Sequence, residues 1–366
     1  MSKFELSLSK AYVPEWDYVD GVRELFQNAL DQEKENEENK MFFEYDEENE
    51  TLKIGNKTSV LDVRTLLLGE TTKKDNDNLI GQFGEGYKVA TLVLAREGSN
   101  VVFYNYGNKE VWKPRFVNSR RYGAEVLTFF IEKKKFWESV PNNNLVIEID
   151  NITKEQYEKI KESNLHLQEV EKVREVKGKG RILEDEHLRG KVFVNGLFVC
   201  DYKDYKYGYD FEPSELELDR DRKLVSDFDL RWLASQMWNR VDGLVDEYVD
   251  MVESGAADTE YVSATVKTSK DEKAREDVAY ERFIEEHGIR AVPVSNNEEL
   301  TMVKEGYDAV VVTEGYKKLI ESSDKYEEQE VYYKTSYERL VEWIEKCEDK
   351  LDNEEVEEFY DIIGKL

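Results

Sequence analysis

Cysteine and histidine are scarce. The 366 residues hold two cysteines, Cys200 and Cys347, and three histidines, His166, His187 and His287. Two thiols build neither a disulfide framework nor a four-thiolate zinc site, and the histidines lie too far apart for a metal-ligand spacing. Long apolar runs are missing as well. No stretch approaches the ~20 apolar residues of a membrane-spanning helix, and the opening Met1-Ser-Lys-Phe-Glu5 lacks a signal-peptide core. Positive charge is in deficit: 52 Lys and Arg face 81 Asp and Glu, a net charge of −29. Such a balance disfavours nucleic acid as a partner, because phosphate contacts need clustered Lys and Arg. It suits solubility or a basic protein partner. The expectation is a soluble, cytoplasmic chain with no membrane association.

Aromatic residues are plentiful, with 22 Tyr and 16 Phe, so the chain is expected to fold although 36% of it is charged. Its length allows two or three domains. No internal repeat or low-complexity tract stands out.

Residues 4–8 alternate like a short strand. Pro14 and Glu15 open a helix predicted over Glu15–Glu35, whose Val22, Leu25, Phe26, Ala29 and Leu30 share one buried face. Strands follow at Met41–Tyr45 and Thr51–Ile54, then a short helix at Val60–Leu68 and a glycine-bearing loop at 69–86. A helix at Tyr87–Ala95 precedes strands at Asn100–Tyr106, Glu110–Pro114, Glu125–Glu132 and Asn144–Ile149. Residues 153–175 read as a charged helix and Lys177–Gly180 as a hinge-like turn. Lys191–Cys200 reads as a strand with a turn at Asn195-Gly196, and Asp227–Val252 as one long helix. Ser254–Lys270 has the composition of a linker. Beyond it lie a βα pattern (Ala274–His287, Ala291–Val294, Glu298–Glu305, Ala309–Val312, Tyr316–Ser322) and an acidic helical segment at Glu327–Leu366.

Two segments carry chemistry. The first helix contains Arg23-Glu-Leu-Phe-Gln-Asn-Ala-Leu-Asp31, where Glu24, Asn28 and Asp31 fall on one stripe opposite the apolar face. Alone, that stripe describes the solvated side of an amphipathic helix. The second segment is Ile80-Gly-Gln-Phe-Gly-Glu-Gly-Tyr-Lys88, with Gly81, Gly84 and Gly86 just before a helix. Glycines there let the backbone approach a ligand, and the free N–H groups favour phosphate. Alone, they describe a tight connection. The segment is neither a P-loop nor a dinucleotide fingerprint.

Together, Glu-x-x-x-Asn-x-x-Asp and a later Gly-x-x-Gly-x-Gly resemble the GHKL ATPases, the superfamily of gyrase B-type topoisomerases, ninety-kilodalton heat-shock chaperones, histidine kinases and mismatch-repair ATPases. The chaperones are nearest in motif. Leu67-Leu-Gly69 with Thr72 and Lys73 is similar to the start of their ATP lid. The resemblance implies ATP and Mg²⁺, with Glu24 as general base beside Arg23, and with Asn28 as the Mg²⁺ ligand. It implies further that Asp31 meets ribose or a metal-bound water. Gly81, Gln82, Phe83, Gly84, Glu85 and Gly86 would form the phosphate cradle, with Lys73 and Lys88 neutralising charge. The family's Asp-x-Gly-x-Gly box, which reads adenine, is replaced by Leu52-Lys-Ile-Gly-Asn-Lys-Thr-Ser-Val60. Asn56 or Thr58 would stand in for its Asp, leaving the base identity open. In Leu218-Asp-Arg-Asp-Arg-Lys223, Arg220, Arg222 or Lys223 would sense the γ-phosphate.

The fold expected is α+β. A GHKL-type two-layer α/β sandwich occupies 1–150, and a helical extension with a transducer-like α/β region follows at 151–255. A small C-terminal α/β unit spans 256–325 and an acidic helical tail 326–366. The function expected is slow Mg²⁺-dependent ATP hydrolysis, coupled to lid closure and acting on a protein partner or client, with homodimerisation a family habit. The alternatives are an acidic scaffold, nucleotide-gated or nucleotide-free, without turnover and, less well matched, a DNA-processing ATPase.

Overall fold

The computed structural model describes residues 1–66, 86–134, 143–216, 226–326, 332–347 and 350–364. Strand β1 (Ser2–Ser9) leads into helix α1 (Tyr18–Glu35). The helix starts later than Pro14-Glu15 suggests because Asp17 caps it. The Asp17 carboxylate accepts the Val19 and Asp20 N–H groups at 2.8 and 3.3 Å, and Asp20 returns a bond to the Asp17 N–H at 3.1 Å. This reciprocal box satisfies donors that a helix end otherwise leaves bare, and is worth about 1 kcal/mol.

Next come β2 (Met41–Asp46), β3 (Thr51–Asn56), α2 (Gly86–Arg96), β4 (Val101–Asn105), β5 (Glu110–Ser119), β6 (Ala124–Lys133), β7 (Leu145–Ile149) and α3 (Lys154–Glu162). The strands form one antiparallel sheet in the order β1-β6-β5-β4-β7-β3-β2. β5 runs through Pro114 instead of ending there. Its ladder with β4 stops at Phe103↔Trp112, so the missing proline N–H leaves no β4 partner unpaired.

One sheet face presents Leu52, Ile54, Phe103, Trp112, Phe129 and Ile149 to Val22, Leu25 and Ala29 of α1 and Ala90, Val93 and Leu94 of α2. The opposite face carries polar pairs such as Lys53–Glu148 at 3.3 Å. The protein is therefore α+β here, with helices covering one side of an amphipathic antiparallel sheet. The two covering helices touch closely at Gly21, where a Cβ would come within 3.0 Å of Leu94 Cγ and 3.3 Å of the Ala90 carbonyl. Arg96 ties the end of α2 to the lead-in of α1, donating to the Tyr12 and Trp16 carbonyls at 2.9 and 2.5 Å.

Past α3 the chain departs from the single helix expected to residue 175. Asn164 forms a bridge with Leu197, which takes the backbone out of helical geometry. Strands β8 (Val173–Val176) and β9 (Gly180–Leu183) then pair as a hairpin, so the hinge-like Lys177–Gly180 is its turn. The Lys191–Cys200 stretch is likewise a hairpin, β10 (Lys191–Val194) and β11 (Leu197–Asp201). Asn195 and Gly196 both have positive φ, as a two-residue hairpin turn of matching twist requires. β12 (Gly208–Phe211) follows.

The long helix expected over 227–252 is two, α4 (Asp227–Trp238) and α5 (Val245–Ser254). Asn239 breaks it. Its amide donates to the Val262 carbonyl and Thr265 Oγ1, both at 2.8 Å, and accepts from the Tyr248 hydroxyl at 2.7 Å. The supposed linker after Ser254 is packed structure. Asp258 is wholly buried, accepting the Tyr209 hydroxyl at 2.5 Å and the Lys206 and Tyr207 N–H groups at 2.9 and 3.3 Å. Burial raises its carboxyl above the ordinary range, and these donors work against the rise.

α6 (Glu272–His287), β13 (Ala291–Val294), α7 (Asn297–Met302), β14 (Asp308–Val311) and α8 (Glu314–Glu321) make a βαβ pattern in which β13 and β14 are parallel. Among the described residues two further helices follow, α9 (Ser336–Cys347) and α10 (Asn353–Ile363). The described chain divides into two units. One holds Met1–Lys172, Lys191–Asp201 and the segment starting at Asp210; the other holds Val173–Gly190, Tyr202–Tyr209 and the described residues from Ser226 onward. No helix among the described residues is long and apolar enough to cross a membrane.

Replacing Asp258 with Ala leaves a buried hydroxyl and two N–H groups without their acceptor, at a cost of about 3 kcal/mol. The expected outcome is a lowered melting transition by calorimetry. Asp258→Asn, which keeps one acceptor oxygen, should lose less.

Candidate functional site

Helix α1 is buried on nearly every side, so its polar stripe is not a solvated face. Glu24 keeps only 4% of its surface, and Asp20, Arg23, Gln27 and Asp31 are buried too. Glu24 and Asn28, one turn apart, point at the first residue of α2. A Cβ on Gly86 would lie 2.7 Å from Glu24 Oε2 and 3.2 Å from Asn28 Nδ2. A side chain there would have to push the Glu24 carboxylate aside. The opening helix thus places a carboxylate and an amide against the N-terminus of a later helix, where N–H groups lack intrahelical acceptors. Asn28 Nδ2 donates to the Glu24 carbonyl at 2.8 Å, leaving Oδ1 as the amide atom able to meet a cation.

Buried asparagines and one lysine hold the chain between β3 and residue 66. Asn56 is buried, and its Nδ2 donates to the Ala29 and Asn39 carbonyls at 2.9 and 3.2 Å. Asn39 Oδ1 in turn accepts the Thr58 and Ser59 N–H groups at 2.7 and 3.0 Å. Asn105 binds both backbone groups of Leu61, at 3.2 and 2.8 Å. Lys88 is 0% exposed, and its ammonium donates to the Thr65 carbonyl at 2.8 Å. The neighbouring Tyr87 hydroxyl meets Thr65 Oγ1, also at 2.8 Å, and burial pushes its pKa up. Thr65 is therefore gripped twice by the first turn of α2. Asn56, expected at the base, has its donor group inside the fold and only Oδ1 to offer a ligand. Thr58 is exposed. Lys88, expected at phosphate, lies inside the fold against a carbonyl.

Two other expected site residues also turn inward. The Arg23 guanidinium pairs with Asp20 at 3.2 Å, reaches the Phe198 carbonyl at 3.5 Å and lies over the Trp16 ring. Asp31 is buried; Lys34 beside it is exposed, and partial desolvation of its ammonium lowers its pKa while Asp31 and Asp210 oppose the shift. Lys34 also bonds Asn195 in the β10–β11 turn, and Asp210 accepts the Gly196 N–H at 2.6 Å. These contacts fasten α1 to the hairpin. Thr72, Lys73, Gly81, Gln82, Phe83, Gly84, Glu85, Arg220, Arg222 and Lys223 lie outside the described residues. Among the described residues, no group of three His, Cys, Asp or Glu is placed to hold a metal.

Sequence reasoning missed Asn39, Asn105 and Thr65, whose roles are backbone contacts made across long sequence separations. It also missed Gln27, which is buried with neither amide atom partnered among the described residues.

Comparisons with known proteins place the chain as follows. A family model described as the Mycoplasma pneumoniae MPN635 N-terminal domain matches residues 155–237. An uncharacterized protein of Mycoplasma pneumoniae is 24% identical over 224 residues, 59% of this chain and 89% of that protein. Two crystal structures of the ATPase region of Saccharomyces cerevisiae topoisomerase II are similar to half of the chain at 9% identity, with TM-scores of 0.32 and 0.33; the second is bound to ICRF-187 (dexrazoxane). The chain covers 62% of each of these structures.

Proposed function

We propose that the first unit binds ATP with Mg²⁺ and hydrolyses it slowly, the energy acting on a protein partner. The observation that carries this reading is the meeting of Glu24, Asn28 and Gly86. A polyphosphate suits the N–H groups and the positive end of the α2 dipole. Gly86 supports it further, since it leaves open the space that a side chain would close.

In this reading the α2 N-terminus holds phosphate oxygens by its N–H groups. Glu24 orients a water molecule against the terminal phosphorus and takes its proton as the attack proceeds. Asn28 Oδ1, together with phosphate oxygens and water, would hold Mg²⁺, which favours few protein ligands of this kind. When bound, that ion neutralises charge developing on the phosphate oxygens. Lys88 and Tyr87 act through position: by gripping Thr65 they set where the first turn of α2 stands relative to Glu24. Arg23 anchors α1 beneath the site. Adenine selection through Asn56 Oδ1, a γ-phosphate contact from Arg220 or Arg222, and closure of residues 69–86 remain parts of the proposal carried by the sequence resemblance. Binding without turnover is the second reading, favoured by the engagement of the Asn56 amide with the fold.

Calorimetric titration with ATP, GTP and non-hydrolysable analogues, followed by phosphate release, separates these outcomes. Absence of any nucleotide binding would remove both readings. Replacing Glu24 with Ala should lower turnover by about 10²–10⁴-fold, the usual worth of a positioned general base, while binding persists. Gly86→Ala should displace the flexible Glu24 carboxylate, cutting turnover at least about tenfold with a melting shift of no more than about 2 °C. A Gly86→Ala enzyme as active as the parent would separate Glu24 from the chemistry. Chelating Mg²⁺ should abolish phosphate release and restore it on readdition.

A further inference from the structure

The C-terminal helices α9 and α10 carry a cluster of apolar residues that is partly open to solvent. Ile344 and Ile363 are buried, and Trp343 packs on Phe359 with ring centroids 6.1 Å apart. Phe359 in turn meets Tyr360 at 5.8 Å. Outer members of the cluster stay in solvent: Trp343 is 54% exposed and Tyr360 43%. A large indole and a tyrosine exposed on either side of Phe359 mark a contact surface better than scattered single residues would.

Charge decides what fits it. Residues 336–366 contain eleven Asp and Glu against four Lys and Arg. On α10, Glu355 and Phe359 are helical neighbours at i, i+4, and Glu357 neighbours Tyr360 at i, i+3. Exposed carboxylates thus rim the apolar residues. Arg339, one of the four basic residues, is drawn towards Glu298 at 3.8 Å. A second copy of this chain would set the same negative rim against itself, and the chain as a whole carries −29. Nucleic acid and anionic lipid surfaces are repelled for the same reason.

We propose that the α9–α10 pair docks a basic amphipathic helix of a partner protein. The partner's aliphatic side chains seat on Trp343, Phe359 and Tyr360, and its Lys and Arg meet the carboxylate rim. This is independent of nucleotide binding by the first unit.

The test uses the full-length chain and a synthetic 18-residue Leu/Lys peptide with its leucines on one helical face. Its control is a scrambled peptide of identical composition. The patterned peptide should bind at least tenfold tighter than the scrambled one, and more weakly as salt rises. Trp343→Ser should reduce its affinity at least tenfold; because Trp343 is exposed, circular dichroism and melting should stay those of the parent. Tyr360→Ser provides a second variant with the same expectation. Equal binding of the two peptides, or full affinity in both variants, overturns the proposal. So does sedimentation showing that the parent is a dimer which Trp343→Ser converts to monomers, since the occupant would then be a second copy.

Discussion

The close approach of α1 and α2 over one face of the antiparallel sheet is the constraint on which the candidate site rests. Gly21 lets the helices touch near the end of α2, and Gly86 leaves its start open to Glu24 and Asn28. Between those points Val22, Leu25, Ala90, Val93 and Leu94 are packed to almost zero exposure. Packing of this density does not deform gradually, so the spacing of the two helix backbones is set by a rigid core. Chemistry that needs sub-ångström placement is well served by such a base.

Around this core, several buried polar groups hold the irregular segments in place. Asn39, Asn56 and Asn105 hold the segment after β3, and Lys88 and Tyr87 hold Thr65. The asparagines and Lys88 satisfy backbone groups that an irregular segment cannot pair for itself. The same device recurs in the second unit, where Asp258 collects a hydroxyl and two N–H groups and Asn239 ends α4. Such networks specify one arrangement of the loops, because leaving any of these groups without a partner costs more than the bond itself is worth.

The proposed roles of the two units are chemically separate. A nucleotide held by main-chain amides asks for a positive helix end, which the first unit offers in spite of the chain's negative charge. An exposed aromatic patch within a carboxylate rim asks for a basic partner. A chain of net charge −29 can host both, since the helix-end field acts over one turn while the rim is itself part of the overall charge.

Periodicity and local chemistry made much of the architecture legible. The first helix, the strands from β2 to β7 and the Asn195-Gly196 turn followed from apolar spacing and turn residues alone, and the association of Glu24 and Asn28 with a later glycine was drawn from motif. What stayed hidden depended on contacts between residues far apart in the chain. Asn164 ends α3 by pairing with Leu197, Asn239 splits a continuous helical pattern by bonding residues beyond 260, and Asp258 turns a linker-like composition into core. The stripe on α1 looked like a wet face because helical spacing distinguishes faces but cannot say what covers them. Sequence by itself determined which residues share a face; only the tertiary structure decided which faces are buried, because burial is set by the neighbouring elements and not by the helix that carries the residue.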